Sequence, residues 1–192
     1  MLKKLTPVLL TLLMATQLAA CSTNNGPNPV AVIETNMGTI EAEIFANEIP
    51  ELSKNFIELA KQGKYDNVPF HRVIKGFMIQ TGDFTNKNGT GGHSYKGLGL
   101  DLPGEFDEKV SSNLRGTLSM ANRGPNTNGS QFFINLTDNT FLDHDKEPVS
   151  SQHPVFGKVI SGMEVVDAIS VTETINDAPV NEVVMTKVTI KE

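Results

Sequence analysis

An arginine and a glutamine interrupt two apolar runs in the stretch Phe70-His71-Arg72-Val73-Ile74-Lys75-Gly76-Phe77-Met78-Ile79-Gln80-Thr81-Gly82-Asp83. A guanidinium is a permanently charged, planar, forked donor. Burying it unpaired is expensive, so Arg72 in such a place needs a partner or a task. Phe77 and Met78 follow within a few residues. Together Arg72, Phe77, Met78 and Gln80 describe an apolar pocket with one cationic donor at its lip. From spacing alone, pairing of Arg72 with a carboxylate inside a barrel is an equal alternative. Phe77, Met78 and Phe133, taken singly, read as core.

Other chemistries find less support. Asp143-His144-Asp145 has the composition of a metal cluster, but adjacent positions in a loop do not converge on one ion, so no metal site is expected. The glycines of Asn86 to Ser94 lack a Gly-Lys-Ser/Thr ending, which argues against a phosphate cradle. No Gly-x-Ser-x-Gly elbow marks a hydrolase. His71 reads as a structural strand residue.

The 192 residues suit one domain, with 39% hydrophobic and 20% charged side chains. Residues 1–20 read as a signal peptide: Lys3 and Lys4, then an apolar run from Leu5 to Ala15 broken at Pro7, then small residues. The run falls short of the roughly 20 residues that span a bilayer. Leu18-Ala19-Ala20-Cys21 resembles a bacterial lipobox, which implies lipidation of Cys21, the single cysteine. Ser22 after it implies sorting to the outer membrane on the periplasmic side; the alternative is a soluble periplasmic protein. Residues 21–29 read as the lipidated Cys and a flexible Gly/Pro-rich linker. Loss of residues 1–20 takes Lys+Arg from 16 to 14 against 22 Asp+Glu, a net charge of −8. That acidity speaks against nucleic acid as a partner.

Residues 30–192 form the domain. Val30 to Thr35 and Thr39 to Phe45 read as a hairpin across Asn36-Met37-Gly38. Pro50 opens a helix whose Leu52, Phe56, Leu59 and Ala60 share one face, and Gly63 ends it. The Arg72 stretch reads as two strands broken at Gly76. Further strands are expected at Thr117 to Ala121, Gln131 to Leu136, Val155 to Ile160 and Val183 to Ile190, with a second helix over Met163 to Ile169. Residues 101–113 read as irregular. The expected fold is mainly β: a closed antiparallel barrel of about eight strands capped by two α-helices.

Three ordered motifs are similar to the cyclophilins, the peptidyl-prolyl cis/trans isomerases. They are Phe70-His71-Arg72-Val73-Ile74 with Gly76-Phe77-Met78-Ile79-Gln80, then Leu118-Ser119-Met120-Ala121-Asn122 with Gly124 to Ile134, and Val155-Phe156-Gly157-Lys158-Val159. The resemblance implies Arg72 as the catalytic arginine and Phe77, Met78, Phe133 and Leu142 as the wall of a proline pocket. It implies Gln80, Ala121, Asn122 and Gln131 as holders of the substrate backbone, with His153 at the pocket edge. Phe141 stands where many eukaryotic members carry Trp, which resembles bacterial members and implies weak binding of cyclosporin. Lys75 replaces the usual Pro, and Asp143 to Gln152 is longer than in compact members.

The implied activity is rotation about X-Pro bonds of envelope proteins as they fold, by a monomer that binds proline-containing polypeptides, without cofactor or covalent intermediate. The alternative is a holding module for proline segments in which turnover is incidental. The set of Arg72, Gln80 and Phe133 favours the isomerase.

Overall fold

The computed structural model describes residues 26–191. The signal-peptide reading of 1–20 and the lipidation reading of Cys21 lie outside the described residues. Gly26 to Pro29, expected as free linker, are tied to the domain. Asn28 donates to Glu43 Oε1 (3.0 Å) and Glu48 Oε2 (3.1 Å), and the Pro29 carbonyl accepts from Ile44 N–H (2.9 Å).

Eleven strands and two α-helices follow. They are β1 (Val30–Thr35), β2 (Gly38–Ile44), α1 (Pro50–Lys61), β3 (Val68–Pro69), β4 (Arg72–Ile74), β5 (Met78–Thr81), β6 (Thr117–Met120), β7 (Phe132–Asn135), β8 (Val155–Ser161), α2 (Met163–Ser170), β9 (Thr174–Ile175), β10 (Ala178–Pro179) and β11 (Val184–Lys191). Nine strands join one antiparallel sheet in the order β3-β11-β1-β2-β8-β6-β7-β5-β4, while β9 and β10 form a separate ribbon. The expected long strands and both helices are present within a residue or two. The two-residue strands are too short for a hydrophobic period to announce them.

The sheet is curled but its ladder is not closed, which corrects the expectation of a closed barrel of about eight strands. Its edge strands β3 and β4 are joined in the chain by Phe70-His71 without pairing. Pro69 brings no N–H to this seam. The neighbouring donors turn elsewhere: Phe70 N–H to the Val183 carbonyl (2.8 Å) and Val73 N–H to the Asp177 carbonyl (2.7 Å).

Strand alternation fills the inside. Ile33, Ile40, Ile44, Ile79, Leu118, Phe132, Ile134 and Phe156 are buried in one core with α1. Leu52, Phe56, Leu59 and Ala60 bury the expected face of α1 against it. Phe56 stacks on Tyr65 (5.1 Å between centroids) and meets the edges of Phe132 (5.4 Å). The Tyr65 hydroxyl donates to the Ser130 carbonyl (3.0 Å), and burial pushes its pKa far up. The N-terminus of α1 has no side-chain cap of its own at Ile49. Glu105 supplies one from a distance, accepting from Glu51 N–H (2.8 Å) and Leu52 N–H (2.9 Å). A carboxylate satisfies two orphan donors there and complements the helix dipole.

Candidate active site

The strand register puts the candidate residues on the outside of the curled sheet. Arg72 pairs with Gln80 and Gln80 with Phe133 across β4, β5 and β7. Directly opposed residues share a face, and residues two apart on a strand share it too. Met78, Gln80, Arg72 and Phe133 therefore lie on one face, while Val73, Ile79, Phe132 and Ile134 face the core. Met78, Phe133 and Leu142 form a second buried apolar cluster, separate from that core, with Ile74, Phe77 and Ala121 packed on it. The β4–β5 turn that brings Phe77 over this cluster needs Gly76, whose φ is +75°.

A cavity of about 290 Å³ opens on this face, lined by Arg72, Phe77, Met78, Gln80 and Phe133, and from the facing segments by Ala121, Asn122, Leu142 and His153. Arg72 is not buried: its side chain keeps 45% of its exposure. Strand alternation turns the guanidinium outward to the rim of this cavity, as the reading of a donor at a pocket lip expects. A carboxylate inside the barrel is excluded with it. Its Nε lies 3.5 Å from Asp177 Oδ2.

Gln80 is held in place. Its Nε2 donates to Gln131 Oε1 (2.9 Å), and Gln131 Nε2 donates to the carbonyls of Gly89 (2.9 Å) and Gly91 (2.8 Å). Gln131 does not reach the Arg72 cavity; it lines a neighbouring one of about 180 Å³ that shares Gln80, Ala121 and Asn122. The Asn122 side chain is spent on the loop, donating to Asn128 Oδ1 (3.2 Å) and the Gln152 carbonyl (3.1 Å). His153 presents its ring edge to Phe133 (5.4 Å), and its Nδ1 meets the Met120 carbonyl (2.9 Å). A carbonyl only accepts, so Nδ1 carries the proton. Burial pushes the His153 pKa down, against the pull of that carbonyl. Leu142 is buried, whereas Phe141 is 58% exposed and only stacks on Phe77 (6.0 Å, 21°). Phe141 therefore stands outside the cavity wall.

Two sets of supporting residues were not foreseen. The first is Asp83, which is fully buried. Its Oδ1 accepts from Thr85 N–H (3.1 Å) and Asn86 N–H (2.9 Å). Its Oδ2 accepts from Asn88 (3.2 Å), Gly89 (2.9 Å) and Gly91 (3.0 Å). Burial alone raises this carboxyl, but the N–H groups of Asn86, Gly91, Gly89 and Asn88 outweigh it and hold the pKa at about 2. The glycine-rich loop thus wraps a carboxylate of its own chain. The carbonyls it presents outward are those that fix Gln131. Gly82 precedes it at φ +90°, where a Cβ would collide with the Ser130 carbonyl.

The second set is a buried polar chain behind the apolar cluster. Asn139 Nδ2 donates to the Phe77 carbonyl (2.9 Å) and to Asn135 Oδ1 (2.8 Å). Asn135 Nδ2 donates to Ser119 Oγ (3.1 Å), and Ser119 Oγ to Asn113 Oδ1 (2.7 Å). Asn113 donates to Asp143 from N–H (2.7 Å) and Nδ2 (2.9 Å). Asp143 is therefore an anchor for the segment carrying Leu142. Among the described residues, no group of three or more His, Asp or Glu is placed to hold a metal. The signal available in the sequence was an Asn ending the apolar strand Phe132–Asn135, which had no evident reason to be polar.

Residues 30–190 match the family described as cyclophilin type peptidyl-prolyl cis-trans isomerase/CLD. Among curated proteins, the peptidyl-prolyl cis-trans isomerase CYP18-1 of Arabidopsis thaliana is 44% identical over 160 residues, covering 82% of this chain and 93% of that protein. The isomerase cypE of Dictyostelium discoideum is 42% identical over 161 residues, covering 82% and 94%. A crystal structure of a Cryptosporidium parvum cyclophilin type isomerase superposes with a TM-score of 0.76 at 33% identity, covering 87% of this chain and 99% of that one. A second structure of that protein, in the presence of the dipeptide Ala-Pro, gives 0.75. With that extent of identity, and with a cavity rimmed by Arg72 and partly walled by an apolar cluster on the outer face of a curled sheet, this chain belongs to the cyclophilin-type peptidyl-prolyl cis-trans isomerases.

Proposed function

We propose that the Arg72 cavity is where this isomerase turns X-Pro bonds, and that it does so without covalent chemistry. The observation that carries the assignment is a half-exposed guanidinium at the rim of a cavity of mixed lining whose apolar walls are Phe77, Met78, Phe133 and Leu142. The peptide C–N bond resists rotation by about 18–20 kcal/mol because of its partial double-bond character. For X-Pro the two isomers are close in energy, yet they exchange over tens to hundreds of seconds. Twisting the amide makes the prolyl nitrogen pyramidal and leaves it a lone pair. A donor aimed there interacts with the twisted state and not with the planar ones, which is the condition for catalysis.

Arg72 is that donor. One charge-assisted hydrogen bond is worth about 1.5–3 kcal/mol. At about 1.4 kcal/mol per tenfold, this gives one to two decades of rate. Exclusion of water by the apolar walls strengthens the bond further. The walls hold the pyrrolidine while Gln80, fixed by Gln131, and the backbone at Ala121 and Asn122 hold the flanking chain, so the preceding carbonyl swings about a fixed ring. The Ala-Pro dipeptide used with the Cryptosporidium protein has the chemistry this cavity suits. Phe141 has no N–H to offer, unlike a Trp, which accords with weak cyclosporin binding.

The test is isomerisation of a short X-Pro peptide by the wild-type domain and by Arg72→Ala. The variant is expected to keep its fold and lose at least about tenfold in kcat/KM. Full activity in a folded Arg72→Ala protein refutes the assignment. The setting we propose, lipid attachment at Cys21 and work on envelope proteins, is supported by the sequence pattern of residues 1–22. Cys21→Ser is expected to move the protein from the membrane to the soluble fraction; unchanged membrane association sinks that part of the proposal.

A further inference from the structure

The β9–β10 ribbon stands apart from the nine-stranded sheet, and its Ile175 is 66% exposed, so it contributes little to the core. Its position is nonetheless fixed against β4. Ile175 pairs with Ala178 across a two-residue loop, Asn176-Asp177, with φ of +51° and +66°. Two left-handed residues in such a loop make a type I′ turn, which suits the twist of a hairpin. Asp177 at this tip contacts β4 twice. Its carbonyl accepts from Val73 N–H at 2.7 Å, and its Oδ2 accepts from Arg72 Nε at 3.5 Å.

We infer that Asp177 is a positioning residue for Arg72, and that the ribbon exists to carry it. The inference rests on the assignment of Arg72 as the donor to the twisted amide. The short backbone bond pins Asp177 beside β4, so its carboxylate is delivered to one side of the guanidinium. It engages Nε, the inner nitrogen, and leaves both Nη groups at the end of the side chain for the cavity. Among the described residues, Asp177 is the one side chain that accepts a hydrogen bond from Arg72. Arg is long and rich in rotamers, and a donor that must meet a transient lone pair gains from being aimed beforehand. Both partners are half exposed, so the pair adds little to folding. Its effect falls on orientation, which is to say on turnover.

Asp177→Gly separates orientation from structure. It makes the loop Asn-Gly, the favoured type I′ sequence, and so keeps the turn while removing the carboxylate. With a short X-Pro peptide, kcat is expected to fall about two- to fivefold, the range of a half-exposed ion pair, with KM within about twofold and an unchanged melting temperature. Asp177→Asn, with an acceptor but no charge, falls between the two. In an Arg72→Ala background, Asp177→Gly is expected to have no further effect. Wild-type kcat in Asp177→Gly, a loss confined to KM, a loss that tracks a lowered melting temperature, or an equal loss in the Arg72→Ala background each overturns the inference. An Arg72→Ala protein of low activity beside a fully active Asp177→Gly removes this inference alone. Full activity in Arg72→Ala removes the site assignment with it.

Discussion

Replacing Asp83 by Asn is the most revealing perturbation of the site's support. Five backbone N–H groups converge on the two carboxylate oxygens at 2.9–3.2 Å. An amide keeps one oxygen and turns two donors on the remaining N–H groups, leaving two or three of them facing N–H. Each buried donor left unsatisfied costs about 1–3 kcal/mol. Allowing the loop to relax toward water, Asp83→Asn is expected to lower the unfolding free energy by about 3 kcal/mol, a large part of the 5–15 kcal/mol typical of a domain. Because Gly89 and Gly91 also hold Gln131, the weakened loop frees Gln80 and raises KM for peptide. Urea unfolding at pH 6 reads the first effect.

The same carboxylate gives a pH signature with a defined sign. The folded pKa of Asp83, about 2, lies below the unfolded value of 3.8. Its contribution is therefore complete above the unfolded value and is lost as pH falls through about 2. The gap between wild type and Asp83→Asn should narrow by about 1–2 kcal/mol between pH 6 and pH 2, after discounting for solvent at the loop mouth. A variant within 1 kcal/mol of wild type at pH 6, on the scale of one ordinary hydrogen bond, refutes the reasoning. So does a gap that stays constant down to pH 2.

Two further perturbations test the scaffold. Asn135→Leu takes one of two partners each from Asn139 Nδ2 and Ser119 Oγ in the buried chain, so a loss of about 1–3 kcal/mol is expected by chemical denaturation; a neutral result shows that the network is replaceable by packing. Glu105→Ala removes the remote cap of α1 and should lower stability by about 1 kcal/mol with isomerase activity intact; a drop in activity at unchanged stability contradicts a purely structural cap.

Much of the architecture was legible from local pattern. The hairpin at Asn36-Met37, the apolar face of α1 and the break at Gly76 each follow from residue periodicity and turn chemistry. The short strands β3, β9 and β10 did not, because two residues carry no period. Neither did the open seam, which depends on where β3 and β4 meet after the sheet has curled.

For the site itself, the sequence determined the ingredients: a forked cation, two glutamines and a set of apolar walls in three motifs. Their presence on one chain is a matter of composition and order. The tertiary structure decided which side they face. A one-residue change of register would turn Arg72, Gln80 and Phe133 into the core and Val73, Ile79 and Phe132 out of it. It also separated Phe141 from Leu142, leaving one on the surface and one in the wall. And it brought in Asp83, Asn135 and Asp177, whose roles rest on partners that lie, save within the Asp83 loop and between Asn135 and Asn139, far away in the chain. Arg72 and Asp177 are 105 positions apart, and their contact exists only because a ribbon outside the sheet folds back against β4. Periodicity is local and reads from the chain; a convergence of distant polar groups is set by topology, and only the folded sheet contains it.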